Sequence, residues 1–75
     1  MLTRNLSCLK EGESATVIAL LNTGSIKRRL QDLGLIEGTQ VQCIQKSPYR
    51  DPVAYDIRGA VIALRAEDAQ NILVS

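Results

Sequence analysis

The chain has 75 residues, 45% of them hydrophobic and 23% charged, a balance that excludes a disordered polymer and reads as one domain over residues 1–75. A chain of this size buries roughly 60% of the surface its unfolded form exposes, so its core is thin. Nine Lys/Arg against eight Asp/Glu leave a formal net charge of +1, which offers no global field for nucleic acid or an anionic membrane.

With no Trp, Phe or His, the core has to come from Leu, Ile, Val and Ala. Cys8 and Cys43 do not make the dense framework of a small secreted domain, and reduced thiols fit better. The opening MLTRNLSCLKEGES lacks the apolar run of a signal peptide, and no stretch reaches the roughly 18 apolar residues that span a bilayer. The expectation is a cytosolic protein that reaches the inner face of a membrane only through a partner.

Along the chain, Leu2, Leu6 and Leu9 punctuate a polar lead-in that ends in a turn at Gly12. Residues 14–20, SATVIAL, are rich in β-branched side chains and predict a first strand. A short helix follows, with Ser25 as its cap and Ile26, Leu30 and Leu33 forming one apolar stripe. Gly34 is placed to end that helix in the left-handed conformation, with Leu35 making the hydrophobic contact of a Schellman motif. Asp32 opposes the helix dipole and predicts a partner elsewhere. Lys27, Arg28 and Arg29 are consecutive, so they point about 100° apart and make no single basic face.

After a turn at 36–38, Val41 and Cys43 share one face of a second strand, opposite Gln40 and Gln42. Ile44 breaks the alternation and predicts a bulge. Val53, Tyr55 and Ile57 line one face of a third strand, opposite Ala54, Asp56 and Arg58. Beyond Gly59, residues 60–65 alternate through Ala60, Ile62 and Leu64. AEDAQNI reads as one or two helical turns with acids at the favourable end, and residues 72–74 close the chain as a strand. The pattern is mainly β: a small barrel of about five strands, one short helix between the first two, and a C-terminal helical turn. An open barrel exposes an edge strand, which allows self-association.

Catalytic chemistry finds little material here. Without His, a Ser or Cys nucleophile lacks its usual base. The two cysteines form no Cys-x-x-Cys unit, and none of the five glycines builds a phosphate loop. Asp51, Asp56, Glu67 and Asp68 match no calcium-loop spacing. No enzyme activity, cofactor or metal site is expected.

Two segments carry a specific pattern: RRLQDLGLIEGTQV at 28–41 and SPYRDPVAYDIRGAVIALR at 47–65. With LSCLKEGESATV before them and AEDAQNILV after, they resemble FeoA, the small cytosolic protein of bacterial ferrous iron uptake. The resemblance implies an SH3-like barrel and an accessory role beside FeoB, the membrane transporter whose cytosolic part binds GTP. Where that family commonly has Ser-Pro-x-Gly-Asp-Pro, this chain has Arg50 in place of the glycine. A residue other than Gly at φ > 0 costs about 1 kcal/mol or more, so the turn is either built differently or Arg50 stays at negative φ.

The leading expectation is therefore a protein-interaction module acting on a FeoB-type transporter. Its candidate contact residues are Tyr49, Arg50, Asp51 and Tyr55 near a groove, with Arg29 and Asp32 on the helix. Each has a plainer reading: Pro48 and Pro52 stiffen a loop, Arg58 pairs with Asp51 or Asp56, and Tyr55 fills core volume. Two alternatives stand beside this one. The first is a sensor that holds ferrous ion weakly through carboxylates and thiols. The second is an RNA-binding barrel, which the near-neutral charge and scarce aromatics oppose.

Overall fold

The computed structural model describes residues 3–49 and 51–75. Among these described residues, six strands, two α-helices and one 3-10 turn follow in the order β1 (Arg4–Asn5), the 3-10 turn (Leu6–Cys8), β2 (Ser14–Leu20), α1 (Gly24–Asp32), β3 (Gln40–Lys46), β4 (Val53–Ile57), β5 (Ala60–Leu64), α2 (Ala66–Ala69) and β6 (Ile72–Val74). The strands join in the order β1-β6-β2-β3-β4-β5, every neighbouring pair antiparallel.

β2 carries the architecture because it changes partner along its length. Ser14–Thr16 pair with β3, whereas Val17–Leu20 pair with β6 through an irregularity between Val17 and Ala19. A strand shared in this way bends one sheet into two halves around a common core. Across the core, the Tyr55 hydroxyl of β4 donates to the carbonyl of Leu6, just beyond β1, at 3.5 Å. The enclosed core holds Leu6, Leu9, Val17, Leu30, Leu35, Val41, Cys43, Tyr55, Ile57, Ile72 and Val74, each under 2% exposed. Tyr55 is the largest of them and fills the volume that Phe and Trp would otherwise supply.

The alternation read from β3 and β4 holds. Val41 and Cys43 are buried and Gln40 and Gln42 exposed, while Val53, Tyr55 and Ile57 point inward together. The bulge expected at Ile44 lies between Cys43 and Gln45, where the register against β4 shifts. On β5 only Leu64 is buried; Ile62 is half-buried and Ala60 exposed.

The end of α1 is a Schellman motif. Gly34 at φ 104 follows the C-cap Leu33, its N–H bonds the carbonyl of Gln31 at 3.0 Å, and the Leu35 N–H bonds that of Leu30 at 3.0 Å. Leu30 and Leu35 then enter the core together. The start of α1 differs from expectation. Thr23 occupies the N-cap without a side-chain bond, and the helix begins at Gly24, so Ser25 lies inside the first turn.

Two further differences concern the strands. Among the described residues there are six rather than about five, and α1 joins the second to the third, because β1 precedes the strand expected to be first. The β4–β5 connection is a two-residue turn in which both Arg58 (φ 56) and Gly59 (φ 87) are left-handed. That is the pattern whose twist suits a hairpin, and Asp56 supports it by accepting the Gly59 N–H at 2.9 Å. Among the described residues no helix is long and apolar enough to cross a membrane.

Candidate functional site

The loop at residues 47–52, between β3 and β4, is fastened at its described positions. Ser47 Oγ accepts the Asp51 N–H at 2.8 Å, which closes the loop on itself. Asp51 Oδ1 accepts the N–H of Ala66 at 3.1 Å, the first residue of α2. The N-cap residue Arg65 supplies no side-chain bond of its own, so Asp51 satisfies one orphan donor of α2 from 15 residues away. The loop thus holds α2, and α2 holds the loop.

Tyr49 stands on this loop at 90% exposure, the most exposed large hydrophobic among the described residues. An aromatic ring so far out of the core, on an anchored loop, is a ready contact for another surface. Arg50 lies outside the described residues, so the turn geometry expected of it is not part of this structure.

Beside the loop, α1, β5 and the start of α2 enclose a cleft of about 540 Å³. Ile26 and Leu30 of α1 and its C-cap Leu33 line it together with Ile62 and Leu64 of β5, and Arg29, Arg65, Glu67 and Asp68 form the polar part of its lining. Arg65 and Glu67 approach to 3.9 Å with both side chains largely exposed, a pair worth little in stability. Asp51 bonds Ala66 between these two residues, so the loop and the cleft meet at α2.

The candidate residues therefore divide. Tyr49 and Asp51 belong to the loop, and Arg29 lines the adjoining cleft. Asp32 is exposed at the end of α1, outside the cleft lining, and makes no ion pair among the described residues. Tyr55 is 1% exposed and belongs to the core; burial pushes its phenol up to about 12. It cannot meet a partner while the fold is intact. Arg58 pairs with neither Asp51 nor Asp56, because both carboxylates are turned to backbone N–H groups.

Ile62, Arg65 and Glu67 were not singled out from the sequence as site residues. The signal was there in part: Ile62 shares the alternating face of β5, and the acids of AEDAQNI sit one turn beyond it.

A second, shallower depression of about 480 Å³ lies on the opposite hairpin end, between Ser14, Thr39, Gln42, Asp56 and Arg58. Its lining is mostly polar, and it lacks the apolar wall of the first cleft. Among the described residues no three Cys, Asp or Glu side chains gather in a metal-holding group. Cys43 is buried and its thiol pushed up by desolvation, while Cys8 is exposed, with its Sγ 3.3 Å from Asn5 Oδ1.

The sequence and the fold have relatives among known proteins. The chain is 35% identical over 69 residues to a Fe(2+) transport protein A/Fe(2+) transporter FeoB fusion protein of Porphyromonas gingivalis, covering 92% of this chain and only 8% of that one. The solution structure of the Chlorobium tepidum FeoA protein matches with a TM-score of 0.89 at 33% identity, over 93% of this chain and 67% of that one. Stenotrophomonas maltophilia FeoA, crystallised with zinc and described as a prokaryotic SH3 domain protein, matches with a TM-score of 0.83 at 29% identity, over 100% and 91%. The fold is accordingly the SH3-like one, mainly β. The FeoA domain pattern itself matches residues 4–75, and the chain belongs to the FeoA family, which is tied to ferrous iron transport.

Proposed function

We propose that this protein is a non-enzymatic accessory of ferrous iron uptake, a single domain that docks on the cytosolic GTP-binding region of a FeoB-type transporter. The observation that carries the reading is the presented loop: Tyr49, 90% exposed, on a segment tied to α2 through Asp51 and bordered by an apolar cleft. Interfaces draw most of their energy from a few aromatic and Arg anchors beside a pocket, and Tyr49 with Arg29 supplies that combination.

The fused relative supports the choice of partner. A covalent link holds two modules at high effective concentration, which makes sense where they must meet repeatedly. The Stenotrophomonas maltophilia protein, described as a candidate activating factor of ferrous iron transport, supports the same role. On this reading the protein works at the inner face of the membrane, recruited by its partner. Titrating isotope-labelled protein with the transporter's cytosolic GTP-binding domain, with and without GTP, tests it. Amide shifts should cluster at 47–52, around Arg29 and at the start of α2; binding with shifts elsewhere, or no binding, refutes it.

A further inference from the structure

The polar depression at the other end of the β4–β5 hairpin is built across three strands. Ser14 pairs with Gln42 and Gln42 with Asp56, which sets these three in one row on the outer face of the sheet. Thr39, just before β3, and Arg58, in the hairpin turn, complete its lining.

Two of these side chains have their chemistry left unused by the fold. Arg58 holds φ 56, a left-handed conformation that suits Gly or Asn, so the turn keeps arginine against its backbone preference. Its Cδ lies 3.4 Å from where a Cβ on Gly34 would stand, which lays the stem against the end of α1. Its guanidinium makes no ion pair among the described residues. Thr39 is 5% exposed, and its buried hydroxyl has no hydrogen-bond partner among the described residues. A guanidinium and a hydroxyl are donors that suit an oxyanion.

Asp56 narrows the class. One of its oxygens accepts the Gly59 N–H at 2.9 Å, and its carboxylate still faces the depression. An anion without a hydrogen is repelled there, whereas one that keeps a proton can donate it to the carboxylate. Hydrogen phosphate keeps a proton throughout the neutral range. Sulfate has none, and a phosphate monoester loses its own near pH 6, about the second pKa of a phosphorylated side chain.

We propose that this depression is a binding site for inorganic hydrogen phosphate. Arg58 and Thr39 donate to its oxygens, and Asp56 accepts the hydrogen bond of its P–OH group. One χ1 step exchanges the Thr39 hydroxyl with its methyl and turns the hydroxyl towards the ligand. With a single cation and an open rim, the site is weak, with a Kd of about 1–10 mM. It shares no residue with the loop of Tyr49 and Asp51 or with the apolar cleft, so it stands or falls apart from the transporter contact.

Titrating isotope-labelled protein with phosphate at about pH 7.5, beside sulfate and methyl phosphate, tests the site and its choice of anion. Sodium chloride holds the ionic strength constant. Saturable amide shifts should gather at 38–42 and 56–59 with phosphate, and the other two anions should bind at least about tenfold more weakly. Arg58→Asn suits the turn and removes the cation, so it should weaken phosphate at least about tenfold with the amide spectrum showing a retained fold. Thr39→Val keeps the shape without the hydroxyl and should weaken it about threefold. Asp56→Asn keeps an acceptor for the Gly59 N–H and should bring sulfate within about threefold of phosphate. No saturable shift with phosphate, an equal response to sulfate in the parent, or unchanged binding in Arg58→Asn or Thr39→Val overturns the proposal. So does an Asp56→Asn protein that still rejects sulfate.

Discussion

Replacing Asp51 by alanine removes the acceptor that the β3–β4 loop gives to α2. The bond to the Ala66 N–H is 3.1 Å long and its carboxylate is exposed, so its worth is that of a helix cap in water rather than of a buried charge. Loss of such a cap costs about 0.5–2 kcal/mol, and solvent screening puts this one near the middle, about 1 kcal/mol. For a domain of this size that lowers the melting temperature by about 4–8 °C. The Ser47–Asp51 bond uses the main-chain N–H and survives the substitution, so the loss reports on the α2 contact alone. Asp51→Asn keeps an acceptor oxygen and should retain at least half of the effect. Thermal unfolding by circular dichroism gives the stability, and hydrogen exchange at Ala66 should quicken in Asp51→Ala. Unchanged melting together with unchanged exchange at Ala66 would refute the claim that the loop and α2 hold each other.

Three other outcomes follow from the geometry. Tyr55 has its phenol raised from 10.0 to about 12 by desolvation, so the unfolded chain loses this proton first as pH rises. Its contribution to stability is complete below pH 10 and is lost between there and about 12, roughly 2–3 kcal/mol in all. Urea unfolding at about pH 9 and about pH 12 should show that loss in the parent and not in Tyr55→Phe; equal losses in both would exclude Tyr55 as the source. Gly34→Ala should destabilise by about 1–2 kcal/mol, because φ 104 is strained for any side chain. The new Cβ would meet Arg58 Cδ at 3.4 Å and Ile57 Cγ2 at 3.6 Å, both ordinary contacts, so the strain lies in the backbone and adding Arg58→Ala should bring no rescue. Arg58→Asn should stabilise the β4–β5 turn by about 0.5–1 kcal/mol, since Asn tolerates the left-handed φ of 56 better than Arg; a lower denaturation midpoint would contradict this.

The sequence was most informative where a face is fully buried. Val41–Cys43 and Val53–Tyr55–Ile57 showed their strands because a period of two is forced wherever one side is core. Gly34 and Leu35 ended α1 as expected, since a Schellman motif is local chemistry. β1 escaped because Arg4 and Asn5 have no alternating pattern; their strand is created by pairing with Leu73 and Val74, almost the whole chain away. The site was half legible for the same reason. Tyr49 stood out as an aromatic in a loop, but the tie from Asp51 to Ala66 joins two segments that no local pattern connects. Tyr55 shows the converse. Its hydroxyl drew it towards a surface role, whereas its place in the inward alternation with Val53 and Ile57 marked it as core.

The central claim is that the anchored loop carrying Tyr49 is the contact with the transporter. The most direct measurement is the affinity of the parent and of Tyr49→Ala for the cytosolic GTP-binding domain, by calorimetry at matched salt. Tyr49 makes no packing contribution to the fold at 90% exposure, so any change reports on binding. The account predicts at least about a tenfold weaker complex for Tyr49→Ala, the loss of an aromatic anchor. Equal affinity of the two proteins would contradict it.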